Sequence, residues 1–178
     1  DTKGGTDAWI VIVNDRGEKV KELRFGTTGD DGCQWVLTLP DGAAILAGYK
    51  EDHKSGDLWF AKMEADTLTW EATVGKEEFA SIVGLVRAKD GGMVFSGNTL
   101  KKAASGSGTA YAAKIDAKGK LSWKYFFGDK GWNEASALVA TQDGGFAIAG
   151  LTRPEKATET SCWLLKINRE GSRQWERI

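Results

Sequence analysis

Ala135-Ser-Ala-Leu-Val-Ala-Thr-Gln-Asp-Gly-Gly-Phe-Ala-Ile-Ala-Gly-Leu-Thr152 reads as two short strands around a tight turn. Small and β-branched residues fill the first strand, Ala135 to Thr141. Gln142-Asp-Gly-Gly145 supplies the turn, because Asp-Gly and Gly-Gly tolerate the positive φ that short hairpins require. Phe146 to Leu151 is the second strand. A polar connection, Thr152 to Thr160, leads to Cys162-Trp-Leu-Leu-Lys-Ile-Asn168, and after Arg169-Glu-Gly171 a fourth strand begins at Arg173. Four consecutive antiparallel strands are predicted, with no helical periodicity anywhere in the chain.

The same order recurs upstream. Asp7-Ala-Trp9, Asp57-Leu-Trp59, Thr109-Ala-Tyr111 and Ser161-Cys-Trp163 are spaced by 50, 52 and 52 residues. A strand-and-turn repeat of this length indicates a β-propeller blade. The predicted organisation is one all-β domain over 1–178, with a half blade at 7–26 and full blades at 33–75, 80–128 and 135–178. Third-strand residues alternate onto one face (Trp9/Val11/Val13, Trp59/Ala61/Met63, Tyr111/Ala113/Ile115, Trp163/Leu165/Ile167), and blade-to-blade packing is expected to bury that face. A partial ring of about three and a half blades leaves strand edges and faces in need of a partner. Other chains, or the rest of a longer propeller, are the expected occupants.

The 178 residues hold 24 basic and 25 acidic side chains, a net charge of −1. Interspersed charge excludes the concentrated positive surface that nucleic acid or an anionic membrane would need. No apolar run has membrane-spanning length, so membrane insertion is not expected. Lys101-Lys102 is read as solvated loop. Cys33 and Cys162 fall on different strand types of different repeats, and both are expected to be small buried hydrophobes rather than a disulfide.

Candidate chemistry is sparse. The single histidine, His53, lies in a charged loop and lacks a rigid neighbour, which a catalytic triad or dyad requires. One histidine and two cysteines do not build a zinc site of those ligands. No catalytic residue, metal ligand or cofactor site is assigned. Acidic residues recur before the innermost strands (Asp30-Asp31, Glu77-Glu78, Glu134), and the longer connections gather at one end of each blade. Binding residues concentrate on such loops, so the candidate ligand or partner site is Asp31, Glu78, Phe79, Trp132, Asn133 and Glu134. An aromatic beside carboxylates suits protein or carbohydrate contact.

Ala113-Lys-Ile-Asp-Ala-Lys-Gly-Lys-Leu-Ser-Trp123 and Asp143-Gly-Gly-Phe-Ala-Ile-Ala-Gly-Leu-Thr152 resemble the seven-bladed-type β-propeller repeats of exported bacterial proteins, and more distantly the quinoprotein (PQQ-like) repeats. The resemblance covers nearly the whole chain but rests on structural residues: turn glycines, strand aromatics and apolar packing positions. It departs at Lys21, where an aromatic is expected, and at Ala65-Asp-Thr67, where the other turns carry glycine. It implies a periplasmic or extracellular, non-catalytic binding or scaffolding module for protein–protein or glycan association. The alternatives are a fragment of a propeller enzyme (a quinoprotein-like oxidoreductase or a glycan-active enzyme) and a structural spacer.

Overall fold

A computed structural model describes residues 4–51, 56–74, 81–99, 109–128 and 131–178. His53, Glu77, Glu78, Phe79 and Lys101-Lys102 therefore lie outside the described residues. The fold is all-β: fourteen strands in four antiparallel sheets, each sheet a sequential meander. The chain divides into two compact units, Asp1–Glu77 and Glu78–Ile178.

The first unit holds a two-stranded sheet, β1 (Ala8–Val13) with β2 (Lys19–Phe25). Its second sheet runs β3 (Asp31–Thr38), β4 (Ala44–Glu51), β5 (Gly56–Glu64) and β6 (Thr67–Val74). Ile10, Leu23 and Phe25 of the first sheet pack against Leu46, Trp59 and Ala61 of the second. The Phe25 and Trp59 rings lie 6.4 Å apart. This is apolar face on apolar face, the main driving force for stacking sheets.

The second unit repeats the arrangement with two complete sheets. One is β7 (Ser81–Arg87), β8 (Met93–Thr99), β9 (Thr109–Ile115) and β10 (Leu121–Phe127). The other is β11 (Gly131–Ala140), β12 (Phe146–Pro154), β13 (Ser161–Ile167) and β14 (Arg173–Arg177). Val94, Ala110, Ala112 and Phe127 meet Phe146, Ile148, Trp163 and Leu165 in a continuous core. The leading strands approach so closely that a Cβ on Gly84 would strike Leu138. Asn98 spans the two sheets, accepting from Ala135 N at 2.8 Å and donating to Ala135 O at 3.0 Å. That pair engages the backbone donor and acceptor of Ala135 beside the register shift between Ala135 and Ala137.

Six of the seven short hairpin turns among the described residues share one geometry. Gly17, Gly42, Gly91, Gly119, Gly144 and Gly171 all have φ between 77° and 86°. Each glycine N–H donates to the carbonyl three residues back, as Gly42 does to Leu39 O at 3.0 Å. This is a type I turn closed by a left-handed residue, where glycine carries no Cβ penalty. The exception is Ala65-Asp66, a two-residue turn in which both residues have positive φ, 43° and 71°.

Two expectations fail. The Trp9/Val11/Val13 face is open: Trp9 is 60% exposed, whereas its equivalents Trp59, Tyr111 and Trp163 are 1%, 0% and 2% exposed. The two-stranded sheet buries its opposite face, through Ile10, and nothing among the described residues covers the Trp9 side. Cys162 is exposed rather than buried, because it points away from the core-facing Trp163 on β13. Cys33 is half-buried, and burial pushes its thiol pKa up.

Candidate functional site

Within the second unit, the tight-turn ends of the two sheets enclose a groove of about 630 Å³. Lys89 and Asp90 come from the β7–β8 turn, Asp143 and Gly144 from β11–β12, and Arg169 and Glu170 from β13–β14. Lys114 near the end of β9 and Trp123 of β10 complete the wall, and Ala88 and Phe146 form an apolar floor. The same turn, recurring in both sheets, brings its polar tips to one place, so the groove follows directly from the meander.

Its charges are paired. Lys114 contacts Asp90, and Arg169 contacts Glu170. Lys166, buried beneath, reaches Asp143 at 2.9 Å and Gln174 at 3.0 Å. Lys89 instead donates to Gln142 O at 2.5 Å, bridging the β7–β8 and β11–β12 turns. Hydrogen bonds from Thr141, Lys166 and Gly145 N hold the Asp143 carboxyl far below the usual range. Lys114 lowers Asp90 in the same way, and Arg169 lowers Glu170. Carboxyls held ionised are poor proton donors at neutral pH, so the groove suits recognition of a polar ligand more than acid catalysis. Trp123 adds a ring packed against Tyr125 at 5.9 Å and against Gly171. Its buried indole N–H has no hydrogen-bond partner among the described residues.

The residues chosen from sequence fall elsewhere. Trp132, Asn133 and Glu134 are not on a loop but in β11, paired with Arg153, Thr152 and Leu151. Pairing extends four residues ahead of the predicted strand start, because β12 runs on to Pro154 through what reads as a polar connection. Asn133 is buried and accepts from Thr152 Oγ1 at 2.8 Å. Trp132 and Glu134 flank it, both half-buried.

Asp31 belongs to the other unit and opens β3, also buried. Counted from the preceding glycine, Asp31 after Gly26 and Asn133 after Gly128 are equivalent. In both repeats a Cβ on that glycine would press on the buried Asx side chain. The shared feature is an inward-turned loop anchor, with Thr27 N and Thr27 Oγ1 both donating to Asp31 Oδ2. The groove residues escaped sequence reading because Asp-Gly turns look purely structural. Their signal was the cationic residue set beside an acid at Lys89-Asp90 and Arg169-Glu170.

Among the described residues no cluster of three or more His, Cys, Asp or Glu side chains is arranged to hold a metal ion. Known protein-family models give no match to this chain, and neither do curated proteins.

Proposed function

We propose that the chain is a β-propeller-type binding or scaffolding module, exported to the periplasm or cell exterior, whose work is protein association through its blade faces. The observation that carries this reading is Trp9, 60% exposed at a position where every other repeat buries its aromatic to within 2%. Val11 and Val13 extend the same open face. Inside each unit, a face of this kind meets the opposite face of a neighbouring sheet, as Trp59 meets Phe25 and as Trp163 meets the Ala110/Ala112 side. Further strands of the same repeat, from another chain or from a longer propeller, have the matching chemistry. Covering a tryptophan and two valines contributes on the order of 4 kcal/mol before ordering costs.

Native mass spectrometry of the purified chain tests it. Assemblies heavier than one chain, dispersed by Trp9→Lys, are expected. A monomer at tens of micromolar that Trp9→Lys leaves unchanged in mass and in hydrogen exchange along β1 overturns the reading.

A carbohydrate-binding reading is favoured by the groove, where the Trp123 ring sits among paired charges. Titration with short oligosaccharides, followed by calorimetry, should show weak binding that Trp123→Ala removes. Heat traces identical to buffer dilution dispose of this reading.

A further inference from the structure

Asp31 is 1% exposed, and its Oδ1 has no hydrogen-bond partner among the described residues. The Asp7 Oδ1 is likewise buried and without a partner. The two carboxylates adjoin at Gly26. Asp31 N donates to Thr6 O at 2.6 Å, which holds the first residue of β3 against the segment entering β1. A Cβ on Gly26 would strike Asp7 Oδ1 and stand 3.3 Å from Asp31 Oδ2. The glycine therefore leaves room for Asp7 Oδ1 to lie beside the Asp31 carboxylate, whose Oδ2 is held by Thr27 N and Thr27 Oγ1.

Neither acid has an ion-pair partner among the described residues. Lys50, which faces Asp31 in the β3–β4 register, is committed to Glu71 at 2.6 Å. Asp30, bound to Thr6 N at 2.7 Å, adds further negative charge beside the pair. Two adjoining carboxylates, each with one buried oxygen left unpartnered, are costly, because desolvation penalises the charge and like charges repel.

We propose that Asp7 and Asp31 form a site for a hard divalent cation, Ca²⁺ or Mg²⁺, whose coordination is completed by main-chain carbonyl oxygens and water. All-oxygen ligation selects hard ions over zinc. With two carboxylates rather than the three or four of a tight loop, affinity belongs to the weak extracellular class, a Kd of about 10⁻⁴ to 10⁻³ M. The equivalent position in the second unit carries Asn133, whose Oδ1 is satisfied by Thr152, so the site is confined to the first repeat. This inference stands independently of the association proposed above.

The test is thermal unfolding and calorimetric titration of the full chain, stripped of metal, with CaCl2 or MgCl2 against NaCl of equal ionic strength. At ten times Kd, a single site raises Tm by about 3–6 °C. The rise should vanish in Asp7→Asn and persist in Asp30→Asn. Asp7→Asn without metal should melt at or above the wild-type temperature, since it removes one of two adjoining negative charges. Asp31→Asn gives a second variant, in which an amide already accepted at Asn133 replaces the acid. A wild-type Tm that divalent ions raise no further than NaCl does, or an equal rise in Asp7→Asn, overturns the proposal. Those results would leave the two oxygens to water or a shared hydrogen.

Discussion

Trp163 Nε1 donates to Glu176 Oε1 at 2.6 Å, and Trp59 Nε1 donates to Glu71 Oε2 at 2.8 Å. In both repeats the glutamate faces the residue two positions after the tryptophan across the β-ladder (Leu165 with Glu176, Ala61 with Glu71). Trp9 and Glu22 occupy the same relation, with Val11 opposite Glu22, and Trp9 also hydrogen-bonds that carboxylate. The pair lets a large aromatic be buried while its one polar atom stays satisfied. Truncating Glu71 to Ala should cost about 1–3 kcal/mol by orphaning a buried donor, whereas Gln, which still accepts, should cost less. Urea unfolding of the two variants reads the difference.

The acid limb of stability should be steep. Lys50 holds the Glu71 carboxyl below its ordinary value, Lys114 does so for Asp90, and the N–H groups of Lys120 and Lys118 do so for Asp116. Each folded pKa lies below its unfolded one. Their contribution is therefore fully present above the unfolded values of about 4 and is lost as pH falls through the lower folded values. Tm should be level from pH 7 to about pH 5 and should decline below about pH 4. A Tm unchanged down to pH 2 contradicts the assignment.

Turn chemistry makes opposite predictions at two sites. Ala65 has a φ of 43°, which an L-residue with a Cβ adopts at a cost. Ala65→Gly should raise stability by about 0.5–1 kcal/mol despite the added chain entropy. Gly171→Ala should destabilise more than Gly42→Ala. Both glycines have a φ of 84°, but a Cβ at Gly171 would press on Trp123 and Tyr125, while Gly42 has open space. Equal losses for the two would mean that backbone strain alone decides the cost.

The cysteines should separate kinetically. An exposed Cys162 should react with a disulfide reagent within the mixing period of a native assay. Cys33 should lag by orders of magnitude, because its thiol is half-buried and its pKa is raised. One fast and one slow thiol per chain is the expected count, and denaturant should merge them.

Strand and turn placement was largely legible, because glycine at a left-handed position and alternation of period two are local signals. Gly17 through Gly171 mark six turns, and Trp59, Tyr111 and Trp163 mark buried third strands. Ala65-Asp66 was visible as a departure, but not its conversion to a two-residue turn. The candidate site was much less legible. Asn133 reads as a loop residue, since nothing local reveals that β12 extends to Pro154 and pairs with it. Asp31 reads as a surface acid, since its burial depends on Thr6 and Thr27 closing over it.

What the amino-acid order determined by itself was therefore the all-β class, the repeat and its turns, all set by neighbours within a few residues. Only the tertiary structure decided which faces of those strands are covered. Trp9 and Trp59 hold the same place in the same local pattern, yet one is open and the other buried. The reason is that burial depends on whether a second sheet stands opposite, and no residue's own neighbourhood encodes that.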